Sequence, residues 1–198
     1  MARYLVCMTG ASGAIYGIRL LQVLASGDGP CPGAELHLVA TKWAERVVLE
    51  ETGSPMASHV AAIGDRRIMT HDPEDLAAPV SSGSFTLDAT VVVPCSMGTA
   101  GAVASGLSAN LVQRAGAVAL KEGWPLILVP RETPLSLISL RSLVTLKEAG
   151  AVILPASPGF YTRPSGIDDL VDQIVSRIVD HMGLAMPGAK RWEGRGEE

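Results

Sequence analysis

Arg131 and Glu132 stand side by side in "VPRETPL" (Val129–Leu135), between Pro130 and Pro134. They follow the apolar run "WPLIL", which reads as a buried strand. Strands of α/β proteins usually hand over to small or turn residues; this one hands over to a cation and an acid. Adjacent side chains on extended chain point apart, so neither is spent on the other. A guanidinium can hold a phosphate. A carboxyl can move a proton. A structural salt bridge is the rival reading. Lys121 and Arg131 flank this one strand, so both could reach a single anion, although a surface lysine is commonly only solvated. Tyr161, in the Pro-bounded "PASPGFY", offers a phenol donor or an aromatic lid. Arg177 lies at the edge of a helical apolar stripe, with its head available to a ligand or a neighbouring subunit.

Two further stretches bring hydroxyls and free backbone N–H groups. "TGASGAIYG" (Thr9–Gly17) reads as a strand-to-helix turn, a natural phosphate site. It is not GxGxxG, and Thr41 stands where an acid would take a ribose hydroxyl. A mononucleotide such as FMN is favoured over NAD, with a plain tight turn as the equal rival. "PCSMGT" (Pro94–Thr99) offers Ser96 and Thr99, which could equally be helix caps. "DDLVD" (Asp168–Asp172) matches a metal–diphosphate motif but occurs once, and reads as a capping, solvated helix face. His37, His59, His71 and His181 show no ligand spacing, so no metal site is expected. There is no GxSxG elbow for hydrolysis.

The elements that must position these residues follow a βαβ rhythm. Tyr4–Met8, Glu35–Ala40, Thr90–Pro94, Pro125–Pro130 and Ala151–Pro155 read as strands. Helical patterns run over about Gly13–Ser26, Lys42–Thr52, Ser108–Lys121, Leu135–Ala149 and Gly166–Met182, the last with Ser165 as its N-cap. Near-continuous apolar strands belong in a sheet covered on both faces. The expectation is an α/β, Rossmann-like, three-layer fold with a mostly parallel sheet and a ligand at the strand carboxyl ends. A single domain over residues 1–186 and a tail over 187–198 are expected.

Bulk properties narrow the class. Of 198 residues, 47% are hydrophobic and 18% charged, which excludes a disordered chain. Net charge is −4 and no basic cluster exceeds two residues, so nucleic acid is not an expected partner. Three cysteines without a CxxC pair argue against a disulfide framework. No apolar run is long enough to span a membrane, and a soluble cytoplasmic protein is expected.

Together, "GASGAIYGIRLLQVL", "THDPEDLAAPVSSGSF", "PCSMGT", "LKEGWPLILVPRETPL", "GAVILPASPGFYTRP" and "IDDLVDQIVSRIVD" resemble the flavin prenyltransferase family of UbiX type, in family order over most of the chain. The resemblance implies the HFCD-like flavoprotein version of the fold. It implies binding of reduced FMN and dimethylallyl phosphate, attachment of the prenyl group at flavin N5, ring closure at C6, and release of phosphate. The product, prenylated FMN, serves UbiD-type decarboxylases. It further implies a metal-independent homo-oligomer, commonly a dodecamer, with sites at subunit boundaries.

Carried over by motif, Gly10, Ala11 and Ser12 contact FMN, with Ser12 also catalytic. Thr41 takes the place of the serine in the family's "SKA", Ser96, Met97, Gly98 and Thr99 line the flavin, and Arg114 contacts FMN. Lys121, Arg131, Tyr161 and Arg177 match the donor-phosphate site, and Glu132, with Lys121, the catalytic groups. Trp192 resembles a tail tryptophan that covers the site. "TKW", "RAGAV" and "LSAN" depart from the family's "SKA", "RAADV" and "YSDN". A flavin-dependent cysteine decarboxylase shares this fold, but its "PASANT" is "PCSMGT" here and no Met-Asn pair occurs. A non-catalytic flavin-binding subunit of a decarboxylase complex is the other alternative.

Overall fold

The computed structural model describes residues 1–191, so Trp192 lies outside the described residues. Six strands, β1 (Arg3–Met8), β2 (Glu35–Ala40), β3 (Ile68–His71), β4 (Ala89–Cys95), β5 (Leu126–Pro130) and β6 (Val152–Ile153), form one sheet in the order β3-β2-β1-β4-β5-β6. Every neighbouring pair is parallel. Cys7 registers with Val39 on one side and Val92 on the other.

Alternation along the buried strands feeds two cores. Val6, Met8, Val91, Val93, Ile127 and Val129 face one side. There they meet α1 (Ala14–Ala25), α2 (Lys42–Thr52) and α7 (Ile167–His181). Leu5, Cys7, Val92, Cys95 and Leu128 face the other. They meet α4 (Met97–Ala104), α5 (Leu111–Glu122) and α6 (Leu137–Glu148). Burying both faces is what forces the strands to be apolar throughout. Cys7 and Cys95 are fully buried, and burial pushes both thiols up, which keeps them neutral packing groups.

Three elements are additions to the sequence reading. α3 (Met56–Ile63) and the edge strand β3 are short and half exposed, too brief to show a period. α4 contains two glycines, but Ser96 caps it by accepting from Thr99 N at 3.3 Å. Two expectations at α7 are corrected. Gly166, not Ser165, is its N-cap; Ser165 instead donates its N–H and hydroxyl to Asp169 Oδ2, at 2.7 and 2.6 Å. The "DDLVD" face is also not merely solvated. Asp169 additionally takes Lys190 Nζ, and Asp172 takes Arg19 Nε and Nη2 at 2.6 and 3.1 Å.

At the sheet's β2–β3 edge, His37 Nδ1 and His71 Nε2 share a hydrogen bond of 2.9 Å. Phe85 stands edge-on to His37, with Arg3 over its other side, 4.4 Å from the ring centroid. His37 is 2% exposed, and its Nε2 lies 3.9 Å from the Glu35 carboxylate, too far to hydrogen-bond. Burial, with His71 and Arg3 adding to it, outweighs Glu35 and lowers the imidazole from 6.5 to about 4. Between these values the unfolded chain binds a proton that the folded chain refuses, so stability is full above pH 6.5 and falls as pH drops toward 4. Urea unfolding at pH 7 and pH 5 checks this: a loss on the order of 1–2 kcal/mol is expected, and a flatter profile for His37→Asn.

Candidate active site at the strand carboxyl ends

The chain leaves β1 toward β2 on one side and returns to β4 on the other, so the ends of β1 and β4 form the switch point where such sheets open a crevice. Thr9, 1% exposed, closes its floor. Its hydroxyl donates to Pro94 O at 2.8 Å and accepts from Ser96 N at 2.7 Å, and its N–H donates to Pro94 O at 3.2 Å. One threonine thereby fixes the glycine turn and "PCSMGT" relative to each other.

The glycine turn does not present the open phosphate site that its sequence promises. Gly13 caps α1 at φ 104, and the N–H groups of Gly13 and Ala14 both donate to the Glu51 carboxylate, at 3.0 and 2.8 Å. A carboxylate from α2 thus occupies the positive end of α1. Gly10 has a packing reason for lacking a side chain, since a Cβ there would stand 2.6 Å from Trp43 Cβ. Trp43, Val47 and Glu51 recur every four residues, so α2 lays one stripe along the turn. That spacing was the available signal for Glu51, which the sequence reading missed. Ser12 is exposed, and its carbonyl accepts from Arg131 Nε at 3.2 Å; Ala11 is buried behind it.

The N-terminus of α4 is open. The N–H groups of Met97 and Gly98 have no carbonyl four residues back, and a Cβ at Gly98 would meet nothing within 4 Å. Ser96 Oγ donates to Thr99 Oγ1 at 3.1 Å, which leaves the Thr99 hydroxyl proton for a further acceptor. Thr41 caps α2 by accepting from Ala44 N at 3.1 Å and likewise keeps its own proton. These hydroxyls and N–H groups, set at the strand carboxyl ends, suit a phosphorylated flavin. Thr41, Ser96, Met97, Gly98 and Thr99 are the residues that would hold it.

Arg131 and Glu132 are exposed on the same rim, after β5. The two Nη nitrogens of Arg131, and the whole Glu132 carboxyl, have no partner among the described residues. Tyr161, after β6, is 59% exposed and lies against the backbone of Gly159. Arg114, in the first turns of α5, donates from Nε to Ser81 O at 3.0 Å.

Lys121 requires a correction. It ends α5, before β5 begins, pairs with Glu122, and packs against Gly83, whose added Cβ would lie 2.7 Å from its Nζ. Arg131 follows the far end of β5. Five extended residues separate the two positions, roughly 16 Å of strand, so within one chain they cannot share an anion. Arg177 is likewise ten residues into α7 from its first residue, roughly 15 Å along the axis, and pairs with Asp180 at 2.9 Å.

Comparison with known proteins matches this architecture closely. The Flavoprotein family profile covers residues 1–179. A probable UbiX-like flavin prenyltransferase of Streptomyces sp. (strain D7) is 46% identical over 192 residues, 97% of this chain and 92% of that protein. The structure of AnUbiX (PadA1) in complex with FMN and dimethylallyl pyrophosphate is similar with a TM-score of 0.90 and 44% identity, covering 98% of this chain and 99% of that one. A dodecameric FMN-dependent UbiX-like decarboxylase from Escherichia coli O157:H7 is similar with a TM-score of 0.89 and 44% identity, covering 97% of this chain and 100% of that one. By its sheet, its site-bearing loops and this full-length likeness, the chain belongs to the Flavoprotein family and, within it, to the UbiX-type flavin prenyltransferases.

Proposed function

We propose that this protein transfers the dimethylallyl group of dimethylallyl phosphate to reduced FMN, giving prenylated FMN for a UbiD-type decarboxylase. One observation carries the reading: Arg131, tied to the glycine turn through Ser12 O, offers two unpartnered Nη groups beside the unpartnered carboxyl of Glu132. A cation and an acid therefore stand together at the switch point, next to the open end of α4.

Reduced FMN, when bound, supplies N5 and C6 as the nucleophilic atoms. The chain's own groups do the rest. Thr41, Ser96, Met97, Gly98 and Thr99 hold and orient the flavin, with Gly10, Ala11 and Ser12 forming the wall on the β1 side. Arg131 and Tyr161 bind the donor phosphate. When the allylic C–O bond breaks, charge grows on the leaving phosphate, and a fixed guanidinium stabilises it without reorganising. Glu132 moves protons at this site: N5 gives one up as it is alkylated, and on ring closure the prenyl double bond gains one while C6 loses one. Ser12 supports proton movement from the turn.

Lys121 and Arg177 enter from neighbouring copies. The length of β5 between Lys121 and Arg131 supports this, and so does the outer face of α6, where Leu137, Ile138, Leu140 and Val144 are exposed. Such an apolar stripe on a chain of this size favours self-association. A homo-oligomer, of the dodecameric kind described for the Escherichia coli relative, is the proposed state. Arg114 contacts FMN from the α5 side of such a boundary. Residues 1–186 act as one flavin-binding domain in the cytoplasm. No described helix is long and apolar enough to cross a membrane.

Two outcomes are expected. Flavin fluorescence titration should show tighter binding of FMN than of FAD, because a site with hydroxyls and helix N–H groups around a terminal monophosphate has no place for the adenylate; equal affinities would contradict it. Single-turnover prenylation should separate the rim pair. Arg131→Ala removes a cation that touches phosphate before and during reaction, so donor affinity and rate both fall. Glu132→Gln keeps donor and FMN binding but lowers turnover by about 10²–10⁴-fold. A structural salt bridge would instead lower both melting temperatures alike, with activity tracking the folded fraction.

A further inference from the structure

Tyr161 sits in a loop that ought not to hold its shape unaided. Arg163 is at φ 51, the one non-glycine residue in the left-handed region among the described residues. That conformation costs a residue with a Cβ roughly 1–2 kcal/mol and persists where surroundings enforce it. Phe160 and Tyr161 are 70% and 59% exposed. The turn itself contributes one backbone bond, Arg163 N to Phe160 O at 3.0 Å.

The enforcement comes from α7 at both ends of the loop. At the far end, Asp169 Oδ2 takes the N–H and hydroxyl of Ser165. These two bonds, with Lys190 adding to them, hold the Asp169 carboxyl well below the usual carboxylate range. At the near end, Gln173 Oε1 accepts the N–H of Gly159. Gly159 is also where the tyrosine ring rests: an added Cβ would stand 2.6 Å from Tyr161 Cε1 and 3.7 Å from Gln173 Nε2. The amide of Gln173, the bare backbone of Gly159 and the ring of Tyr161 therefore form one stack. Gln173 Nε2 is buried and has no partner among the described residues, beside a cavity of about 200 Å³ lined by Thr162, Asp169, Asp172 and Lys190. A buried amide that leaves its donor unsatisfied costs stability, which its oxygen must offset through the bond to Gly159.

We propose that Gln173 is a positioning residue for the transfer reaction: its amide oxygen pins Gly159 and so sets the Tyr161 phenol toward the donor phosphate. The inference rests on the reading of Tyr161 as a phosphate ligand. Gln173 touches no reacting atom; it acts through the backbone of Gly159.

Two near-isosteric variants isolate the oxygen. Gln173→Met removes the acceptor at similar volume, and Gln173→Glu keeps it. Limited chymotrypsin digestion of the full chain reads the loop directly, since Phe160 and Tyr161 are exposed. Cleavage at these residues should be at least ~5-fold faster in Gln173→Met than in the parent, and near the parent rate in Gln173→Glu. The KM for dimethylallyl phosphate should rise in Gln173→Met by a similar factor, with FMN affinity and kcat changed less, and should recover in Gln173→Glu. Equal cleavage of Gln173→Met and the parent would overturn the proposal, as would a loss of FMN affinity matching the loss of donor affinity. Tyr161→Phe separates the underlying reading. If it leaves the donor KM unchanged while Gln173→Met still loosens the loop, Tyr161 is not the phosphate ligand, and the proposed link from Gln173 to the donor is overturned with it.

Discussion

The site depends on a single clasp at the switch point. Parallel strands β1 and β4 separate the two halves of the sheet, and their carboxyl ends would be free to splay. Thr9 prevents this by bonding Pro94 O with both its N–H and its hydroxyl while accepting from Ser96 N. The glycine turn and the start of α4 are therefore one rigid body. From the glycine turn, Ser12 O reaches Arg131 across the rim, and Glu51 fixes Gly13 and Ala14 from outside. A few bonds of ordinary length carry the geometry from the middle of the sheet to the cation that the chemistry needs.

Electrostatics then divides the work between the two ends of the sheet. The positive end of α1 is already satisfied by Glu51, whereas the positive end of α4 is open to an anionic flavin. Arg131 sits on that side. Lys121 and Arg177 sit toward the other end, paired with Glu122 and Asp180. A departing phosphate is held better by several cations than by one, and the proposed assembly brings the second and third from other copies. Assembly and catalysis would then be linked: a chain with an apolar α6 face and one cation of three at its rim gains the others on association.

Much of this was legible in the sequence, for identifiable reasons. The long helices and the four longer buried strands announce themselves by period and by unbroken apolarity, and "RETPL" stood out because a strand end rarely carries two opposite charges. The short edge elements β3 and α3 did not, since four to eight half-exposed residues have no period to read. α4 hid behind its glycines. Glu51 was invisible because a helix face pointing at a turn is a tertiary fact, although its spacing from Trp43 hinted at it. Lys121 misled for a similar reason. Closeness in sequence to the strand suggested closeness to Arg131, yet a strand is an extended rod, and flanking residues lie at opposite ends of it. Ser165 looked like a cap by type, but its hydroxyl serves as a donor to Asp169 instead.

The central claim is that this chain joins a prenyl unit to reduced FMN. The most direct measurement is anaerobic incubation of the purified full chain with reduced FMN and dimethylallyl phosphate, followed by the mass and absorbance of the released flavin and an assay of inorganic phosphate. The expected result is a flavin heavier by one prenyl unit, with an altered spectrum, and phosphate released in equal amount. Recovery of unmodified FMN with no phosphate release, from protein shown to bind both compounds, would contradict it.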